Sequence, residues 1–127
     1  MGACYWVQAK LLLTNEKAAI NALQNKIATD TKTNYSLELY AKRGVTTETF
    51  DDLMRIILAG WKHQEVAIVK KDGFAIYENA FDASYGWENV MIEMFYVLSP
   101  FLEDNSHLKI YPDEGEHFLI IRDEKVV

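Results

Sequence analysis

Two short turns constrain the fold of this chain more than any other feature of its sequence. The first is Lys71-Asp72-Gly73, which joins two runs rich in β-branched and aromatic residues, and Asp-Gly is a strong hairpin signal. The second is Pro112-Asp113-Glu114-Gly115, which joins the runs SHLKIY and EHFLII. Strands that are joined by so few residues must pair antiparallel, so the sequence predicts two β-hairpins.

Hydrophobic periodicity places further strands and helices around these hairpins. Alternation of apolar and polar residues predicts strands, and apolar residues at spacings of three and four predict amphipathic helices. The predicted strands are 3–13, 64–70, 74–81, 106–111 and 116–121, with a short piece at 125–127. The predicted helices are 16–28, 36–43, one from Thr46 or Thr47 to Gly60, and 84–103, and residues 29–36 are predicted to be a polar loop.

This order of elements predicts an α+β fold, an antiparallel sheet with helices on one face. Its core is a split βαβ, ferredoxin-like arrangement, with an extra C-terminal strand and extra helices in the first crossover. We expect residues 1–127 to form a single domain of ordinary size. Such a fold hosts many functions, so function must be argued from its residues.

Composition limits the class of protein. No apolar run approaches the roughly 18 residues of a membrane span, and the first residues lack the basic and apolar segments of a secretory signal. The single cysteine, Cys4, excludes an internal disulfide and fits a reducing compartment. We therefore expect a cytoplasmic protein that does not bind membranes.

Charge is unevenly distributed along the chain. Residues 1–71 carry ten Lys/Arg and seven Asp/Glu, a balance of +3, whereas residues 72–127 carry three and twelve, a balance of −9. An acidic surface of this kind favours a basic protein partner and disfavours direct binding of nucleic acid. The candidate partner-binding residues are Glu88, Glu93, Asp113 and Glu114.

No motif for catalysis, metal binding or a cofactor is present in the sequence. In the second hairpin, paired residue numbers sum to about 227, so His117 should face Ile110 and His107 should face Ile120. The two histidines are then not neighbours, and His63 has no nearby partner in the sequence. Cys4 lies in an aromatic strand and is expected to be buried and inert. We therefore expect no catalytic residue, no cofactor and no metal site.

A Tyr85-Gly86-Trp87 triplet at the start of the longest predicted helix supports an alternative. Gly86 would allow a ligand to approach the helix end, and Tyr85 and Trp87 could stack on a ring. The competing interpretation is structural: Ser84 caps the helix, Trp87 anchors it in the core, and Gly86 allows a neighbouring backbone to pass. We favour the structural interpretation, because the acids around the triplet repel phosphate.

Four phrases together resemble a known group of proteins: NYSLELYAKRG, LAGWKHQEVAI, DASYGWENVM and LEDNSHLKIYPDEGEHFLI. The group consists of small single-domain proteins of Firmicutes and their phages or prophages. The resemblance implies a bacterial or phage setting, in which small acidic domains often inhibit defence nucleases or toxins. The leading hypothesis is a non-enzymatic inhibitor of a basic partner protein, of the anti-CRISPR or toxin-immunity type. The alternative is a protein that binds and sequesters a small molecule or nucleotide, and a homodimer stays open in either case.

Overall fold

A computed structural model describes residues 3–34, 37–59 and 66–127 of the chain. Its strands are β1 (Ala3–Leu11), β2 (Ala67–Lys71), β3 (Phe74–Ala83), β4 (His107–Tyr111), β5 (His117–Arg122) and β6 (Lys125–Val126). Its helices are α1 (Glu16–Thr29), α2 (Thr31–Asn34), α3 (Leu37–Lys42), α4 (Phe50–Ala59) and α5 (Trp87–Leu98), and a 3₁₀ turn, Ser99–Phe101, follows α5.

The strands form one antiparallel sheet in the order β2-β3-β1-β4-β5-β6. The first four strands in this order have the ferredoxin-like arrangement, with β1 between β3 and β4. Both predicted hairpins are present, and Asp72 and Gly73 have the positive φ values, 53° and 83°, of a tight hairpin turn. The predicted α+β fold is therefore confirmed.

Strand alternation divides the sheet into a buried face and an outer face. In β1 the odd-numbered residues from Ala3 to Leu11 are buried, and the even-numbered residues point to the opposite side. The helices pack on the buried face, where α4 and α5 contribute much of the core. Two side chains, one from α5 and one from β3, bond to carbonyls in the last turn of α4. The Trp87 indole donates to Ile57 O at 2.8 Å, and Asn79 Nδ2 donates to Leu58 O at 2.9 Å.

Several predicted boundaries in the first crossover differ from the structure. The sequence predicts a loop over residues 29–36, but α2 forms within them, because the buried Thr33 hydroxyl donates to Ile27 O at 2.9 Å and holds the chain against α1. Helix α4 begins at Phe50 rather than near Thr46, because the Thr49 hydroxyl accepts the Asp52 N–H at 3.1 Å and so caps the helix three residues later. The predicted end of this helix at Gly60 lies outside the described residues.

The start of α5 also differs from the prediction. The helix begins at Trp87, so the expected start at residue 84 is wrong, and β3 runs on to Ala83 instead. The expected side-chain cap from Ser84 is also wrong, because Gly86 occupies the cap position and no side chain bonds there. At the other end, the expected extension to residue 103 is wrong: α5 ends at Leu98, and Pro100 lies in the 3₁₀ turn Ser99–Phe101 that follows it.

Candidate functional site

A groove of about 450 Å³ lies between the start of α5 and the β4–β5 turn, on the helical side of the sheet. It brings together four of the candidate residues from the sequence: Tyr85, Glu88, Asp113 and Glu114. The other lining residues are Ala3, Tyr5, Pro112 and His117. Sequence positions that are more than twenty residues apart thus meet at one place on the surface.

The floor of the groove is built from β1. Strand alternation turns Tyr5 toward the helices, where only 3% of the residue is exposed, and its hydroxyl donates to Ser84 O at 3.3 Å. Burial, together with the neighbouring Glu88 carboxylate, raises the pKa of Tyr5 to about 12. The phenol therefore stays neutral and adds no charge to the groove.

The opposite wall is the turn between β4 and β5. Gly115 has a φ of +79°, a conformation that favours glycine and allows the chain to reverse after Glu114. Asp113 Oδ2 accepts the backbone N–H of Cys4 at 3.3 Å, which ties this turn to the first residues of β1. The turn therefore holds its two carboxylates beside the groove.

The lining of the groove is acidic and aromatic. Its ionisable residues include three carboxylates, Glu88, Asp113 and Glu114, and neither Lys nor Arg lines it within the described residues. Tyr85 is 65% exposed, and Lys32 Nζ donates to its backbone carbonyl at 2.9 Å. Carboxylates beside an exposed aromatic ring are suited to a cation, because they accept charged hydrogen bonds and the ring face attracts positive charge.

Glu93 does not belong to this site, so the four candidate acids do not form one surface. It lies five residues after Glu88 on α5, which places it about 140° around the helix. There it accepts from Lys26 Nζ at 2.7 Å, and Lys26 also pairs with Asp30 at 2.9 Å. Glu93 therefore forms an ion pair between α5 and α1, away from the groove.

The Tyr85-Gly86-Trp87 triplet does not assemble into a stacking site. Trp87 is 1% exposed and is held by its bond to Ile57, so it packs in the core as the structural interpretation predicts. Tyr85 alone of the three presents a large exposed surface. Gly86 has a φ of +86°, and a Cβ at this position would lie 2.8 Å from Lys32 Nζ rather than against a neighbouring backbone. Glycine at this position therefore allows the left-handed backbone conformation, and the expected close approach of a neighbouring backbone is wrong.

The described histidines, His107 and His117, and the cysteine do not form a cluster that could hold a metal ion. No group of three or more His, Cys, Asp or Glu residues within the described parts of the chain could hold a metal ion. The hairpin register predicted for His107 and His117 is confirmed, with partners Ile120 and Ile110, and His63 lies outside the described residues. Cys4 is exposed, so its expected burial is wrong, and its thiol donates to Asp82 Oδ1 at 2.9 Å.

Four residues of the groove are not among the candidates from the sequence, and two of them, Tyr5 and His117, carry polar side-chain groups. Tyr5 follows from the alternation in β1, which puts it on the same face as Ala3, and His117 follows from its position at the end of the second hairpin. Neither signal could show that α5 begins beside them.

Comparison with protein-family models, curated proteins and solved structures finds no match to this chain. Among the described residues, the helices are too short or too polar for any of them to cross a membrane.

Proposed function

We propose that this chain is a non-enzymatic binding protein that inhibits a basic partner protein by taking a cationic segment of that partner into the groove. The observation that carries the proposal is the lining itself, in which three carboxylates and two tyrosines surround one depression without a lysine or arginine among its described residues. The partner class is a nucleic-acid-binding effector or a toxin. Inhibition is of the anti-CRISPR or toxin-immunity type, in the cytoplasm of a bacterium.

The energetics favour arginine as the residue that enters. A guanidinium can bond to a carboxylate in bidentate geometry and stack on an aromatic face, and it is more weakly hydrated than an ammonium group. Hydrogen bonds to charged groups contribute roughly 1.5–3 kcal/mol, and a partly desolvated cation–π contact about 1–2 kcal/mol. Glu88 and Tyr85 on one wall, with Asp113 and Glu114 on the other, provide both kinds of contact.

The surrounding charge favours fast association. Residues 72–127, with their acidic balance, supply six of the eight lining residues, which favours the approach of a basic partner. Exposed charges are screened beyond about 8 Å at physiological salt, so the association rate should fall as salt is added.

Co-purification from a lysate of the native host tests the proposal. The bait is the wild-type chain, a groove variant with Glu88→Gln, Asp113→Asn and Glu114→Gln, or a control with Glu48→Gln, Glu103→Gln and Glu124→Gln. The amides keep side-chain shape, an amide oxygen at position 113 can still accept the Cys4 N–H, and both triple variants lose three negative charges. The control residues are exposed and lie outside the groove.

We expect a basic protein to be retained by the wild type and the control, and lost from the groove variant. The same protein retained equally by all three baits would refute the groove as its site. Mass spectrometry of the eluate also detects small molecules, and a small ligand held by the wild type without any protein would favour the sequestering alternative instead.

A further inference from the structure

The sheet has a second surface, opposite the helices, which we call the open face. It is formed by the strand residues that alternate with the buried ones, such as the even-numbered residues of β1. Antiparallel sheets with one solvated face usually carry polar residues there. This face carries aromatic rings among its polar and charged groups, namely Trp6, Phe74, His107, Tyr111 and Phe118.

The strands of the open face are basic, although the chain as a whole is acidic. The chain has 13 Lys/Arg and 19 Asp/Glu, but the described strand residues on this face include five Lys/Arg and two Asp/Glu. The cations are Lys10, Lys71, Lys109, Arg122 and Lys125, and the acids are Glu78 and Asp82. The turn acids Asp72, Asp123 and Glu124 lie beyond the strand ends, so the positive charge is centred on Lys10 and Lys109. The expectation against nucleic acid rests on the charge of the whole C-terminal half, whereas this face has the opposite sign.

The two central lysines lie over rings of the open face. Lys10 Nζ is 4.7 Å from the centroid of the Phe74 ring, and Lys109 Nζ is 5.7 Å from that of Phe118. Burial, together with these two lysines, holds the pKa of His107 below its ordinary 6.5, so the imidazole between them is neutral at pH 7. Cation–π contacts at solvent-accessible sites are weak, so each ammonium group can exchange its ring for a phosphate.

Tyr111 and Phe118 present exposed aromatic rings on adjacent strands. Tyr111 is 45% exposed and Phe118 51%. Each ring has a neighbour that supports it: the ring centroids of Trp6 and Tyr111 are 5.2 Å apart, and those of His107 and Phe118 are 5.7 Å apart. Exposed rings of this kind stack on unpaired bases, and this stacking tolerates any base because every base has a flat aromatic face.

Polar side chains separate the aromatic residues and order the centre of the open face. Gln8 Nε2 donates to Glu78 Oε1 at 2.6 Å, and Gln8 Oε1 lies 2.8 Å from His107 Nε2. These bonds cross three adjacent strands, β3, β1 and β4. The core of a protein–protein interface is depleted of charged residues, whereas unpaired bases combine flat faces with hydrogen-bonding edges. The mixture of rings, amides and cations therefore favours a nucleic acid over a protein.

We propose that the open face binds single-stranded nucleic acid. Unpaired bases stack on Tyr111 and Phe118, and Lys10 and Lys109 turn from their rings to the neighbouring phosphates. A duplex does not fit in this way, because its bases are already stacked on one another and are not free to meet the rings. The groove lies on the other side of the sheet, so this proposal does not depend on the function proposed for the groove.

Fluorescence anisotropy with labelled single strands of equal length tests the stacking. The probes are oligothymidine, oligouridine and an abasic DNA strand, which keeps the phosphates but has no bases. We expect both base-bearing strands to bind, the tighter one identifying the preferred sugar, and the abasic strand to bind at least about five-fold more weakly. Phe118→Leu keeps apolar bulk without a ring, so it should weaken oligothymidine binding about five-fold. Tyr96→Leu is the matched control, since Tyr96 is 53% exposed on α5, and it should leave binding unchanged.

Salt dependence tests the phosphate contacts. Lys10→Gln with Lys109→Gln should flatten the slope of log Kd against log salt by roughly 1.4, since each phosphate contact on a single strand contributes about 0.7. Lys17→Gln with Lys42→Gln removes two exposed charges from α1 and α3, and should leave the slope unchanged. Circular dichroism confirms that each variant is folded. No binding of either base-bearing strand at low salt, equal binding of the abasic strand, or equal effects of the two double variants would overturn the proposal. Polyglutamate that binds as tightly as oligothymidine would assign the face to an acidic protein instead.

Discussion

Replacing Gly86 with alanine should destabilise the isolated protein, and the structure fixes the size of the effect. Gly86 has a φ of +86°, a conformation that costs an L-residue roughly 1–2 kcal/mol. Alanine also restricts the unfolded chain, which offsets about 0.4–1 kcal/mol of that cost. The new Cβ would lie 2.8 Å from Lys32 Nζ, but this is the end of a flexible, exposed side chain that can move away.

The net loss is therefore about 1 kcal/mol. An unfolding entropy of about 2.1 cal/mol/K per residue, over a chain of 127 residues, converts it to a melting temperature about 4 °C lower. Thermal unfolding followed by circular dichroism or calorimetry measures this shift. The sign is opposite to that expected inside a helix, where alanine is the better residue.

Two controls separate the contributions. Gly44 has a φ of +81°, and a Cβ at this position would have no atom within 4 Å, so Gly44→Ala reports the cost of the backbone conformation alone. Lys32→Ala combined with Gly86→Ala removes the side-chain contact. Gly86→Ala should match Gly44→Ala to within a few tenths of a kcal/mol, in either background. A Gly86→Ala variant as stable as the wild type would refute the reasoning.

Two further predictions concern stability. Trp87→Ala should lower the free energy of unfolding by about 4 kcal/mol, or the melting temperature by roughly 15 °C, and Trp87→Phe should lower it less because it mainly removes the bond to Ile57. Tyr96→Ala, at an exposed position, is the control. A loss below about 1 kcal/mol for Trp87→Ala would contradict the core role of Trp87. Burial and two neighbouring lysines hold the pKa of His107 below its ordinary 6.5. The unfolded chain then binds the proton more readily, so the free energy of unfolding should fall as pH drops from 6.5 toward the lower folded-state pKa. Urea titrations at several pH values should show a flatter pH dependence for His107→Gln than for the wild type. An equal pH dependence in the two proteins would contradict this assignment.

The sheet could be predicted from the sequence because its signals are local. Asp72-Gly73 specifies a tight turn, and the pairing of His107 with Ile120 follows once the turn at 112–115 is placed. The amphipathic stripe of α1 was also readable, and in the structure Asn15 Oδ1 caps this helix by accepting the Ala18 N–H at 3.1 Å. Strand order then follows from the few connections that a chain of this order allows.

The helix boundaries and the site depend on tertiary contacts that sequence patterns do not contain. α2 forms because the Thr33 hydroxyl reaches Ile27 O, and α5 starts at Trp87 because Gly86 turns the chain into a left-handed conformation just before it. The acidic charge of the C-terminal half is evident in the sequence, but the separation of Glu93 from the groove requires its contact with Lys26. The aromatic residues on the side of the sheet away from the helices, in β1, β4 and β5, become neighbours only in the assembled sheet, so no single stretch of sequence shows them together.

The most direct test of the groove is a titration of the ¹⁵N-labelled protein with a short arginine-rich peptide, followed by amide chemical shifts. The account predicts salt-sensitive shifts at Ala3, Tyr5, Tyr85, Glu88 and the turn 112–117. It also predicts their loss in the variant with Glu88→Gln, Asp113→Asn and Glu114→Gln, while the control triple variant and a glutamate-rich peptide behave as matched references. Shifts spread over all exposed acids, or unchanged in the groove variant, would contradict the claim that this groove recognises a cation.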